Sequence, residues 1–90
     1  MIRVEAGVAV LDGDLTLDNA SQWLAAGEAA LKQGVVAFDM AGVGHLDSSA
    51  LSLMLSFRRR AEAAGSAIEF RNIPDSLASL AKLYGVAEQI

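Results

Sequence analysis

The sequence predicts an α/β fold: a four-stranded mixed β-sheet covered by about three or four helices. Alternating or near-continuous apolar stretches, at Ile2–Val10, Val35–Met40 and Ala67–Arg71, are interleaved with three segments of helical apolar spacing. Each helical segment ends at a glycine, at Gly34, Gly65 and Gly85. The order is therefore ββαβαβα with short connections, and the chain of 90 residues reads as a single domain over 1–90.

The elements follow in turn. Ile2, Val4, Val8 and Val10 alternate with polar or small residues around Ala6-Gly7, giving two short strands and a tight turn. Asp12-Gly13-Asp14 is expected to break the second strand. Thr16 to Lys32 reads as the first helix, with Thr16 or Asp18 as its cap and Leu17, Ala20, Leu24, Gly27 and Leu31 as its buried stripe. Gly27 inside that stripe costs about 1 kcal/mol against alanine, which close approach to the sheet would explain. Trp23 falls at the stripe's edge, as a core or boundary aromatic. Val35 to Met40 is a central strand, and Ala41-Gly42-Val43-Gly44 a flexible loop. Ser49 to Ala64 is the second helix, Ala67 to Arg71 the fourth strand, and Pro74 opens a last helix through Tyr84. The expected buried stripe of that last helix is Ile73, Leu77, Leu80, Ala81 and Tyr84.

Composition excludes several functions. A net charge of −4 and a pI near 4.7 do not suit nucleic-acid binding, which needs clustered Lys and Arg. The basic run Arg58-Arg59-Arg60 fans around roughly 200° of a helix and reads as a solvated face. No apolar run approaches the ~20 residues of a membrane span, and the first residues do not open a signal peptide, so no direct membrane insertion is expected. There is no cysteine, hence no disulfide or thiol chemistry, which suits a cytosolic chain.

Chemistry concentrates at His45-Leu46-Asp47-Ser48-Ser49-Ala50-Leu51, where a loop is expected to become the second helix. Asp and Ser cap helices by accepting from unpaired backbone N–H groups, and a helix start also tolerates an anion or a phosphorylated hydroxyl. Behind this tip the second helix is broadly apolar. Ala50, Leu51, Leu53, Met54, Leu55, Phe57 and Ala61 cover about 200° at ~100° per residue. Either neighbouring helices use that surplus, or it forms a partner interface beginning beside Ser48. His45, Asp47 and Ser48 superficially suggest a hydrolase, but no Gly-x-Ser-x-Gly elbow surrounds the serine. Neither metal-ligand spacing nor a phosphate-binding glycine loop occurs, Gly42-x-Gly44 alone being a weak signal. No catalysis, cofactor or metal is expected. Asp12 and Asp14 read as turn formers, compatible with an acidic rim beside the tip.

These residues also resemble the STAS domain family, the sulfate-transporter and anti-sigma-factor-antagonist module, over nearly the whole chain. Leu11-Asp12-Gly13-Asp14-Leu15 is similar to its strand-end motif, and Asp47-Ser48-Ser49-Ala50-Leu51 to its Asp-Ser-Ser/Thr-Gly-Leu signature, with Ala50 where glycine is usual. The ending from Asn72 to Val86 resembles the small MlaB-like, or toluene-tolerance-type, STAS proteins. That resemblance implies a non-catalytic cytoplasmic subunit. It would bind and regulate the ATPase of a phospholipid-trafficking ABC transporter that maintains outer-membrane lipid asymmetry, and be held at the inner membrane through that complex. Asp47, Ser48, Ser49, Leu51, Ser52 and Leu55 are the expected partner-binding residues. The alternative is an anti-sigma-factor antagonist whose kinase partner phosphorylates Ser48 in a partner switch. Gene neighbourhood would separate the two.

Overall fold

The computed structural model describes residues 1–90. Four strands, β1 (Ile2–Glu5), β2 (Val8–Leu15), β3 (Ala37–Leu46) and β4 (Glu69–Arg71), form one sheet in the order β1-β2-β3-β4. β1 is antiparallel to β2, and the remaining pairs are parallel. Three α-helices, α1 (Ala20–Lys32), α2 (Ser48–Ala63) and α3 (Asp75–Leu83), join two 3-10 turns at Leu17–Asn19 and Ala87–Gln89. This is the four-stranded mixed sheet that the alternation and the glycine stops predict.

Registered neighbours share a face of the sheet, so Ile2, Leu11, Ala9 and Phe38 point together toward the helices. The core forms there. Phe38 stacks on Phe57 of α2 with ring centroids 4.7 Å apart and planes 17° from parallel. No buried side-chain polar atom lacks a hydrogen-bond partner. No helix is long and apolar enough to cross a membrane.

Six expectations need correction. Asp12-Gly13-Asp14 does not end the second strand; β2 runs on to Leu15, and register shifts between Val10 and Asp12 and between Gly13 and Leu15 absorb the irregularity. The predicted loop Ala41–Gly44 is part of β3, because the prolonged β2 offers it a parallel partner: Asp12 pairs with Gly42 and Gly13 with Val43. A Cβ on Gly44 would lie 2.7 Å from the Asp14 carboxylate, so glycine is what lets the two strands close here.

The first helix turns a different face inward. Trp23, Gly27 and Ala30 are buried, whereas Leu24 and Leu31 are half-buried and Leu17 is 76% exposed. The indole wins the core position because its large ring is covered while its Nε1 donates to the Asp14 carbonyl at 2.9 Å. Gly27 permits close packing against another helix rather than the sheet, since an added Cβ would lie 2.1 Å from the Phe57 ring.

In α2 the broad apolar arc is consumed inside the domain. Ala50, Leu51, Leu53, Met54, Phe57 and Ala61 are all buried between the sheet and the flanking helices. Arg58 departs from the solvated face: its guanidinium lies 5.0 Å over Phe70, Nε donates to the Gln89 carbonyl at 3.0 Å, and Nη1 donates to the Ile68 carbonyl. In α3 the buried stripe is Leu77 and Ala81, while Tyr84 lies beyond the helix and is exposed.

Candidate functional site

The end of β2, the end of β3 and the start of α2 meet at one corner of the molecule, and Asp47 is its organising residue. It is the N-cap of α2, with extended backbone angles. One carboxylate oxygen accepts from the Ser49 backbone N–H at 2.9 Å and from the Ser49 hydroxyl. The other accepts from the Leu17 N–H at 3.0 Å, thirty residues earlier in the chain. One side chain thus satisfies unpaired donors at two helical starts and ties them together. These bonds favour the carboxylate, the Ser49 hydroxyl most and the Leu17 and Ser49 N–H groups next, and hold Asp47 below the usual carboxylate range.

The two serines are thereby separated in role. Ser49 is half-buried and spent on the cap. Ser48 is exposed, stands in the first turn of α2, and its hydroxyl makes no hydrogen bond within the chain. Ser52 is exposed one turn further on, and Leu55 is half-buried after it. Leu51 differs from expectation: at 5% exposure it belongs to the core and offers a partner almost no apolar surface. The α2 spacing that links it to Ser48 and Leu55 also turns it toward the helices packed alongside.

Leu17 is the apolar side chain that the fold leaves accessible beside the tip. It projects from the 3-10 turn, largely exposed, while its N–H is held by Asp47. Sequence periodicity assigned it to a buried stripe. The only hint otherwise was Thr16–Asn19, which makes its own cap: the Asn19 side chain accepts from the Thr16 N–H at 3.0 Å and sets the turn apart from α1.

Asp14 is a strut. Its carboxylate accepts from the His45 N–H at 2.8 Å, and its carbonyl accepts from Trp23 Nε1 and Asn19 Nδ2, both at 2.9 Å. Asp12 and Asp14 lie on an extended strand, not in a turn. His45 is exposed and enters these bonds only through its backbone, and no hydrogen bond joins it to Ser48. No group of three or more His, Asp or Glu side chains converges in metal-ligand geometry. Beside the corner, a shallow cleft of about 290 Å³ runs between Leu17, Ser21 and Leu24 on one side and Ser49, Ser52 and Ser56 on the other.

The sequence model of one protein family, described as "Mlab, STAS domain", matches residues 2–90. No curated protein matches the chain in sequence. Among solved structures, the chain resembles the anti-sigma factor antagonist SpoIIAA in its unphosphorylated form, at 21% identity over 92% of this chain and 81% of that one, with a TM-score of 0.68. The phosphorylated form of SpoIIAA, the Bacillus cell fate determinant, gives 21% identity over 99% and 86%, with a TM-score of 0.67. A Thermotoga maritima protein proposed to be an anti-sigma factor antagonist gives 14% identity over 98% and 80%, with a TM-score of 0.76. At these identities the structural likeness is one of fold.

Proposed function

The chain belongs to the STAS domain family, and on that premise we propose that it is a non-catalytic subunit that binds and regulates the ATPase of a phospholipid-trafficking ABC transporter. The observation that carries this reading is the free Ser48 hydroxyl, presented on a helix start that Asp47 locks to a second chain segment. A fixed, exposed donor-acceptor at a helix N-terminus suits recognition of a polar partner group without reorganisation on binding. The family description, with its Mlab designation, favours the transporter branch. Ser48, Ser52 and the exposed Leu17 would touch the ATPase, Leu55 would border the contact, and Asp47 and Ser49 would hold the helix in place. Such a partner would keep the chain at the inner face of the membrane.

Co-expression with the ATPase subunit tests this. Ser48→Glu and Leu17→Asp should each reduce co-purification and ATPase stimulation while leaving the circular dichroism spectrum unchanged. Full retention of both properties in both variants would sink the reading.

One observation favours a second reading, an anti-sigma-factor antagonist. The fold matches SpoIIAA in both unphosphorylated and phosphorylated forms, and Ser48 alone of the tip's two adjacent serines has a hydroxyl free to accept a phosphoryl group. A cognate anti-sigma kinase with ATP should then add one phosphate, and Ser48→Ala should abolish it. Absence of incorporation into the wild-type chain removes this alternative.

A further inference from the structure

The leucines that sequence periodicity placed on the buried stripe of the first helix form a line that the core covers only in part, with Leu24 and Leu31 packed partly against it and Leu17 largely exposed. Leu17, Leu24 and Leu31 recur every seven residues along the 3-10 turn and α1, and none of them is buried. On α2 a matching line runs Ser49, Ser52, Ser56, Arg59 and Ala63, spaced alternately by three and four residues. Both lines wall the same groove. Two depressions lie between the helices, one from Leu17 and Leu24 to Ser56 beside the tip and one from Leu31 and Lys32 to Ala63 at the far end, where the Glu28–Arg60 ion pair crosses between them, and a third on α2 alone links the two through Ser56 and Ala63. The helices run parallel, as the Leu17–Asp47 bond, the Gly27–Phe57 approach and the 3.3 Å Arg60–Glu28 ion pair show in succession.

A seven-residue apolar line opposite a three-four line of mostly small residues is the surface that a third helix packs into. The groove spans about 21 Å at ~1.5 Å per residue, which is four helical turns. Its charge is graded. Asp14 and Asp18 lie at the tip, Arg59 lies midway and Lys32 at the far end, neither in an ion pair, while Glu28 beside Lys32 is paired with Arg60. Both parallel helices also turn their positive dipole ends to the tip and their negative ends away from it.

From this we infer that the groove between α1 and α2 receives one amphipathic helix of the partner protein, laid antiparallel to both. Its acidic N-terminal turn lies over Lys32 and Arg59, and its basic C-terminal turn over Asp14 and Asp18. In that orientation the side-chain charges and the helix dipoles are complementary together. In the reverse orientation the dipoles align unfavourably and like charges meet. The inference rests on the chain being a partner-binding module and adds the partner's recognition element and its direction.

Two synthetic peptides of about 18 residues, enough to span the groove at ~1.5 Å per residue, test it. Both carry the same leucine heptads; one has Glu in its first turn and Lys in its last, and the other has these exchanged. Each is titrated into the isotope-labelled full chain and followed by backbone amide shifts. The Glu-first peptide should bind about tenfold more tightly at low salt, with shifts concentrated at Leu24, Ser52 and Ser56. Lys32→Glu with Arg59→Glu should abolish the preference. Equal affinities, shifts outside the groove, or no binding of either peptide would overturn the inference. The co-purification of Ser48 variants with the ATPase is a separate readout, so loss of one proposal leaves the other standing.

Discussion

Replacing Gly27 with alanine should destabilise the domain, although helix propensity alone argues the reverse. Alanine in the middle of a helix gains about 1 kcal/mol over glycine. Here the new Cβ would lie 2.1 Å from Phe57 Cε1 and 2.2 Å from Cζ, whereas carbon pairs attract at roughly 3.5–4.0 Å. Either the ring or α1 must retreat by about 1.5 Å to reach that separation. Phe57 has nowhere easy to go, because it is buried and stacked on the equally buried Phe38. Overpacking of this kind costs about 1–3 kcal/mol, and loss of the aromatic stacking adds about 0.5–1.5 kcal/mol. Set against the propensity gain, the net loss is about 0.5–3.5 kcal/mol, and each kcal/mol lowers the midpoint by about 4–8 °C in a domain of this size. Urea and thermal unfolding measure it. In a Phe57→Leu background the clash is relieved, so the alanine penalty should shrink or change sign. A Gly27→Ala protein more stable than wild type would refute the packing argument.

Other consequences follow from the same packing and hydrogen bonds. Leu51→Asp should unfold the domain, since it places a charge at a buried position at a cost of several kcal/mol; Leu17→Asp, on the surface, should change stability by no more than about 0.5 kcal/mol, and circular dichroism melts separate the two. The carboxyl of Asp47 is held below its unfolded value, so its stabilisation is fully present above the ordinary carboxylate range and is lost as pH falls through the lowered folded value. The stability difference between wild type and Asp47→Ala should therefore shrink between about pH 7 and about pH 3; a constant difference would contradict the cap's ionic character. Arg58→Lys should keep the charge but lose the bridge from Ile68 to Gln89, a loss of about 1–2 kcal/mol. Faster amide exchange at Ala87–Gln89 than in wild type is the expected signature.

Much of the fold was legible because its signals are local. The element order, the hairpin turn at Ala6-Gly7 and the glycine after each helix depend on residues within a few positions of one another. What escaped depends on distant partners. Ala41–Gly44 looks like a loop by composition and becomes strand only because β2 lies alongside, with the Asp14 carboxylate fitting over Gly44. The leucine stripe of the first helix has helical periodicity, yet Trp23 took the interior since the Asp14 carbonyl stood ready for its indole N–H. Arg58 reads as part of a charged run and proves to be a clasp, because Phe70 and the Gln89 carbonyl come from elsewhere in the chain. At the candidate site, the Asp47 cap at the start of α2 was visible in sequence, whereas the exchange of Leu51 for Leu17 as the accessible apolar neighbour was not. Periodicity reports that a residue is apolar on one face, but not which neighbouring helix covers that face.

An exposed Ser48, held at the helix start by the Asp47 cap, is the proposed point of recognition by a partner protein. The most direct test of this proposal is the affinity of the purified ATPase subunit for the wild-type chain and for Ser48→Glu, measured alongside thermal stability. Binding weakened by at least about tenfold, as when an interface centre is disturbed, with an unchanged melting midpoint, is the predicted result; equal affinity for the two chains would contradict it.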